Sequence, residues 1–534
     1  MSQMTIALAL LPILWLIVAL AVLKVPAWKA CLAAAIISFI IAVVPYGKDS
    51  AIMLSGALEG VALAVWPILL VITAAIFAYN LVVHTKAMET IKAMLSSVTS
   101  DMRLLALLLA WGFGGFMEGM AGFGTAVAIP AAMMVGVGFD PLKSILACLV
   151  ANSVPTTFGS IGIPTTLASL TGLDLNLLGT SIALQLFILN VVTPFFVVMI
   201  IGGGVKALKG VFLTTLISGL ALAIPELFIN KVAGPELSVI VSSIVMMASI
   251  GICAKVLPTN NPEYQFKSET QKISGGEGFV AAMPFILIFV LLLLTSKLVP
   301  AINGPLSAIK TSVPIYAGPG AKPYTFVWIA TPGIMIFLSA FIGGAVQKAG
   351  FGEMLGVLGK TFNGLKFTYI TIISVVVTAK IMTYSGMTAN IADGLVAATG
   401  TLYPAFAPLI GALGSFLTGS GTNSNVLFGP LQTAAAQKLI PGDGELALWL
   451  TAASSAATGI GKMFSPQSIA IAIGAVAPAL DEYVKENKID AAKAKELHDS
   501  IEPSSIMRHI FKYFLLYVIV AGIICYLNIG QGII

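Results

Sequence analysis

Residues 114 to 130 read GGFMEGMAGFGTAVAIP, and residues 414 to 430 read GSFLTGSGTNSNVLFGP. The two stretches align without a gap at an offset of 300, matching Gly114 with Gly414, Phe116 with Phe416, Gly119 with Gly419 and Pro130 with Pro430. A second pair follows at an offset of 302: SVPTTFGSIGIPTT (153 to 166) against SAATGIGKMFSPQS (455 to 468), with Ser153, Thr156, Gly159 and Pro164 over Ser455, Thr458, Gly461 and Pro466. Two matched cassettes at nearly one offset predict a chain of two related halves, as in many secondary transporters.

The medium around the cassettes is apolar. Of 534 residues, 58% are hydrophobic and only 10% charged, against about 25% charged in soluble domains; the mean hydropathy is +1.00. A helix crossing a bilayer needs about 20 mostly apolar residues. Runs that qualify include 5 to 23, 27 to 45, 66 to 83, 211 to 229, 279 to 297, 326 to 346 and 510 to 530. About 12 to 14 segments are expected on that rule. The first run has no basic residue before it and no small-residue cleavage site before Lys24, so it is expected to be a retained helix. The formal charge of +5 comes almost wholly from lysine, and nothing resembles the basic, aromatic-interleaved face of a nucleic-acid binder. Cys31, Cys148, Cys253 and Cys525 are scattered in apolar runs, which suggests neither a disulfide framework nor a metal site.

Polar stretches at 254 to 278, 298 to 324 and 481 to 508 set the layout. The first half is expected over 1 to 253, with a hairpin at 104 to 138 and a broken helix at 142 to 172. After a polar linker, 254 to 278, the second half runs over 279 to 480, with a hairpin at 404 to 438 and a broken helix at 445 to 480. An exposed amphipathic segment, 481 to 508, precedes a last transmembrane helix at 509 to 534. Counting 142 to 172 and 368 to 402 each as one broken helix leaves seven crossings between the cassettes, and an odd number inverts the second relative to the first. The expectation is an all-α polytopic membrane protein of two inverted repeats, each with a re-entrant hairpin and a broken helix.

In hydrocarbon, unwound backbone survives only when buried in protein or lining a cavity, so the glycines and prolines of the cassettes mark where helices stop. Broken helices expose free N–H groups with about half a positive charge, an anion site that needs no arginine. Small-residue packing explains isolated glycines but not their coincidence with hydroxyl and amide side chains. The expected substrate-binding residues are therefore Ser153, Thr156, Thr157 and Gly159 in the first break; Thr422, Asn423, Ser424 and Asn425 at the second hairpin tip; and Thr458, Gly461, Lys462, Ser465 and Gln467 in the second break. An apolar wall is expected from Phe123, Phe158 or Phe428.

Charges in apolar surroundings are costly and default to function. Glu118, in the first hairpin tip, is positioned to bind a proton or cation, and Asp393 is a further proton-coupling candidate. Lys462 is positioned to meet a carboxylate. For Lys380 and Asp393 the alternatives are a mutual ion pair, a snorkelling position or ligand contact. HExxH, CxxC and any nucleophile, base and acid cluster are missing, and Met354 stands where a phosphate-binding loop before Gly359–Lys360–Thr361 requires glycine. No cofactor or metal is called for, and an enzyme is not expected.

WGFGGFMEGMAGFGTAVAIPAAM, ANSVPTTFGSIGIP, YSGMT (384 to 388), FLTGSGTNSNVLFGPLQ and TGIGKMFSPQSIAIA together resemble the bacterial lactate permease family, which includes glycolate permeases, from about residue 5 to the end. The resemblance implies proton symport of a small 2-hydroxy monocarboxylate, L-lactate foremost with glycolate and D-lactate beside it, across the bacterial inner membrane; a monomer or homodimer is expected. It also implies an elevator-type architecture, in which a transport domain moves against a fixed one. The family pattern has an acid where Gly421 stands and a proline where Ala126 stands, and the missing acid moves the coupling expectation to Glu118. A sodium-coupled carrier or a channel for another small anion is the alternative.

Overall fold

Apolar runs with few charges become long helices in the computed structural model, which describes residues 3–122, 124–168, 171–257, 259, 261–265 and 273–528. Among the described residues eight helices are long and apolar enough to cross a membrane: Ser50–His84, Leu175–Gly202, Phe212–Val232, Pro235–Val256, Gly275–Thr295, Phe351–Ser385, Met387–Thr418 and Pro503–Leu527. Two bent pairs raise the number to ten. The expected 12 to 14 is reached only with the shorter apolar helices Met4–Leu20, Ala27–Val43, Thr125–Gly136 and Pro332–Val346 included.

The side-chain distribution is that of a membrane bundle. On Ala27–Val43 the small residues Ala30, Ala34 and Ser38 are buried while Leu32, Ile36 and Ile40 are exposed. The last helix exposes Phe511, Leu515, Ile519 and Ile523 at four-residue spacing. Such stripes are a liability in water, whereas in lipid small residues belong at helix contacts and large apolar ones face the acyl chains. The few aspartates sit largely at helix starts: Asp49, Asp140, Asp174, Asp443 and Asp490 each accept a backbone N–H of the first turn, a cap worth about 0.5–2 kcal/mol.

Both cassettes interrupt helices. The first hairpin has arms 102–120, π-wound over Leu107–Phe113, and Thr125–Gly136; the second has Tyr403–Thr418 and Gly421–Leu439. Gly419 ends an arm in the left-handed region, at φ 67°, which costs glycine least. The broken helices are Pro141–Ala151 with Pro155–Thr166, bent by 59°, and Gly444–Phe464 with Pro466–Lys485, bent by 49°. In the first break Ser160 and Ile161 are themselves left-handed, at φ 46° and 59°, a strained arrangement that persists only where surroundings enforce it.

A further matched pair escapes the cassettes: Ser50–His84 and Phe351–Ser385 are each 35 residues long and stand at the same spacing as the cassettes. The halves interlock. Thr125–Gly136 packs on the second half's Pro466–Glu486, and Gly421–Leu439 packs on the first half's Gly159–Ala168. Likewise Ala27–Val43 lies on Phe351–Ser385, and Pro332–Val346 on Leu70–His84.

Some details of the layout depart from or add to what was expected. Within and just after the polar stretch 298 to 324, Lys310–Val313 and Tyr324–Val327 form a two-stranded antiparallel sheet, a small addition to a helical bundle. The sheet caps the break at Trp66, whose indole donates to the Val327 carbonyl at 2.9 Å. The break itself, with Trp66 non-helical ahead of Pro67, was not expected. The segment 481 to 508 is not one element: Pro466–Glu486 runs into it, Ala491–Ser500 is a separate exposed helix, and Pro503–Leu527 begins six residues early. In the linker, Pro235–Val256 ends and Gly275–Thr295 begins; residues 258, 260 and 266–272, like 529–534, lie outside the described residues.

Candidate functional site

Where the two hairpin tips meet the two breaks, a cavity of about 270 Å³ opens, just below the roughly 300–1,000 Å³ of drug-sized pockets. Its charged wall is Glu118, from the first hairpin, and Lys462, from the second broken helix. Their side chains are 3% and 7% exposed, and Lys462 Nζ lies 2.7 Å from Glu118 Oε1. The ammonium also lies 3.5 Å from Thr156 Oγ1. Glu118 Oε2 is buried without a partner among the described residues, so there the carboxylate has Lys462 for its compensation. Gly159 makes room for the pair, because a Cβ there would stand 2.5 Å from Glu118 Oε1.

Two helix N-termini face the same space. Gly421, Thr422 and Asn423 begin the second arm of hairpin two, capped by Ser420, whose Oγ accepts from Asn423 N at 3.3 Å. Gln467 and Ser468 begin the helix that restarts at Pro466. Free first-turn N–H groups and the dipole make both ends favourable to an anion. Thr458, at the start of the helix Thr458–Phe464, does not line the cavity. Lys462 instead sits in the last turn of Thr458–Phe464.

Of the expected binding residues, Thr156, Gly159, Thr422, Asn423, Lys462 and Gln467 line the cavity. The others hold its walls together. Asn425 Nδ2 donates to the Pro164 carbonyl and to Ser455 Oγ, both at 2.8 Å, and Thr157 Oγ1 shares a 2.9 Å hydrogen bond with Ser455. Ser424 donates to Gly411 O at 2.7 Å, Ser153 to Val150 O at 2.7 Å and Thr458 to Ser455 O at 2.8 Å. Ser465 caps the restarted helix through Ser468 N at 3.1 Å. Gly461 and Gly459 pack so closely that an added Cβ would run into the Ala412 and Ser153 carbonyls.

The apolar wall is also corrected. Phe123 lies outside the described residues, while Phe158 and Phe428 are buried but do not line the cavity. That wall comes mostly from helices to which no role was assigned: Trp28 and Phe367 stack at 5.3 Å with Ile372 beside them, and Ile471 of the second broken helix completes it. Thr368, Thr371, Thr418 and Ser420 add polar lining that was also missed. Only their phase on the helices, invisible without the fold, singles them out.

Lys380 and Asp393 do not pair with each other. Lys380 Nζ lies 2.7 Å from Glu59 Oε1, and Asp393 Oδ1 lies 2.9 Å from the largely exposed Lys438. Glu59 and the fully buried Glu226 are intramembrane acids overlooked in apolar runs; the cost of burying charge was the available signal. Among the described residues no three His, Cys, Asp or Glu side chains gather as a metal site.

The model of a family described as L-lactate permease matches residues 5–489. An L-lactate permease of Streptococcus iniae is 45% identical over 81% of this chain and 91% of its own length. The glycolate permease GlcA of Escherichia coli K12 is 34% identical over 88% of this chain and 89% of its own. Among solved structures, the Alcanivorax borkumensis YdaH transporter aligns over 81% of this chain and 85% of its own, with 13% identity and a TM-score of 0.35.

Proposed function

The chain belongs to the L-lactate permease family, and from that premise we propose that it takes up a small 2-hydroxy monocarboxylate, L-lactate or glycolate, together with a proton. The observation that carries this is the buried Lys462–Glu118 pair in the wall of a cavity built from both hairpins and both breaks. Relatives named for L-lactate and glycolate support the substrate class.

The pair supplies the coupling. A substrate carboxylate that accepts from the Lys462 ammonium displaces Glu118, and removing one partner of a buried pair costs about 3–5 kcal/mol. Protonation of Glu118 removes that cost. The empty site holds Glu⁻ and Lys⁺; the loaded site holds neutral Glu, Lys⁺ and the substrate anion. Both sum to zero, so loaded and empty forms cross without working against the membrane potential, which opposes an inward anion by about 2.3 kcal/mol per 100 mV. The N-termini at Gly421 and Pro466 add attraction for the carboxylate. Thr422 and Asn423 offer partners to the 2-hydroxyl, and the Trp28–Phe367 wall receives the methyl group of lactate.

We read the hairpins and broken helices as one moving body and the helices Ala27–Val43, Ser50–His84, Pro332–Val346 and Phe351–Ser385 as a fixed one, in two inverted repeats. The cavity lies on the seam between them, as an elevator-type carrier of the bacterial inner membrane requires. Reconstituted protein under an imposed pH gradient, challenged with lactate, glycolate, acetate and malate, tests the reading. Competition by the 2-hydroxy monocarboxylates above acetate and malate is expected, and uptake indifferent to the pH gradient speaks against it.

A further inference from the structure

A second cavity, of about 550 Å³, lies along the same seam. The first cavity meets Phe351–Ser385 at Phe367 to Ile372 and the second hairpin at its tip; the second meets the same helix at Val376 to Tyr384 and the same hairpin along its second arm, from Val426 to Gln437. At 1.5 Å rise per residue, Lys380 stands roughly 15 Å along that helix from the first site. A hairpin has both ends at one membrane face, so the second cavity lies toward the face where this one is rooted.

Among the described residues Lys380 is the one charged residue in its lining; Thr383, Tyr384, Thr388, Thr433 and Gln437 provide polar contacts. Its counter-charge, Glu59, is set behind it, 7% exposed against 21% for the lysine. Glu59 Oε1 also accepts from Tyr384 Oη at 2.7 Å, and the Tyr384 ring is held by stacking on Tyr316 at 3.7 Å. If the ammonium turns to a ligand, Glu59 keeps a fixed donor. The first site also pairs a lysine with a more deeply buried carboxylate and a hydroxyl within 3.5 Å of the ammonium, but there the carboxylate shares the cavity wall.

We propose that Lys380 is a second carboxylate-binding station, which holds the small monocarboxylate between the first cavity and the membrane face where the second hairpin is rooted. The ammonium gives the cavity its preference for anions, and Thr383 completes the contacts while the Tyr384 hydroxyl stays with Glu59. The substrate's identity rests on the carrier reading above.

The test uses the full chain in proteoliposomes and initial rates of L-lactate and glycolate uptake. Lys380→Met is expected to raise the half-saturation concentration at least tenfold, and Lys380→Arg to recover most of it. Glu59→Gln is expected to lower it, because the lysine loses its competitor. The double variant Glu59→Gln/Lys380→Met is expected to match Lys380→Met. Wild-type uptake in the double variant would mark the pair as a structural bridge and overturn the proposal, as would an unchanged half-saturation in Lys380→Met. Attaching an aminoethyl thiol group to Lys380→Cys restores a cation on folded protein: recovered affinity supports the station, and no recovery after complete modification refutes it. If the wild type takes up neither monocarboxylate, the carrier reading fails first; if it does and the Lys380 variants do not differ, only the station fails.

Discussion

Replacing Glu118 with glutamine removes the proton acceptor but leaves the Lys462 cation at the cavity wall. The charge balance then changes in one leg of the cycle only. The loaded form, with Lys⁺ and the substrate anion, is still neutral, but the empty form now carries one positive charge. Net uptake therefore moves one negative charge inward per turn, which 100 mV, inside negative, opposes by about 2.3 kcal/mol. At about 1.4 kcal/mol per tenfold, the steady internal concentration falls to about one-fiftieth of the external one, whatever the pH gradient. Exchange of labelled for unlabelled substrate uses only the loaded form and is spared. The assay is proteoliposome uptake with the pH gradient and a potassium–valinomycin potential imposed separately. A Glu118→Gln variant that still accumulates substrate in proportion to the pH gradient would refute the coupling role.

Lys462→Met removes a charge-assisted hydrogen bond worth about 1.5–3 kcal/mol, so the half-saturation concentration for lactate is expected to rise about 10- to 150-fold in the same assay. Gly159→Ala places a methyl group against Glu118 Oε1 and is expected to abolish uptake at normal membrane insertion; the shorter acid in Gly159→Ala/Glu118→Asp restores part of it. Gly421→Asp sets a carboxylate beside Thr458 and Thr156, since a Cβ there stands 3.0 Å from Thr458 Oγ1; competition for Lys462 is expected to weaken binding, read as a higher half-saturation concentration. Asn425→Ala takes a donor from the Pro164 carbonyl and from Ser455, which keeps Thr157, and is expected to cost about 1–3 kcal/mol, measured as a lower unfolding temperature in detergent.

The cassettes were legible because hydrocarbon penalises two things that leave marks in sequence. Unwound backbone demands glycine and proline, which located both hairpins and both breaks. Buried charge demands a purpose, which singled out Glu118 and Lys462, although their partnership joins residues 344 apart and no local pattern records it. The hydroxyls and amides were less readable. Thr422, Asn423, Ser424 and Asn425 look alike as a string, but at 3.6 residues per turn the first two face the cavity and the last two turn to Gly411, Pro164 and Ser455. Trp28 and Phe367 gave no signal, because an aromatic in an apolar helix reads as one more lipid-facing or packing residue until the seam it faces is known.

The distance in sequence between Glu118 and Lys462 also bears on how the protein is made. Ribosomes add about 5–20 residues per second, so the lysine follows the glutamate into the nascent chain by roughly 17–70 s. Throughout that interval the first hairpin has a carboxylate and no cation to answer it, and the groups that Asn425 and Ser455 later satisfy are waiting as well. The early half must therefore be kept from lipid by the insertion machinery or stay loosely seated. Commitment of the bundle comes late in translation, when the second cassette arrives.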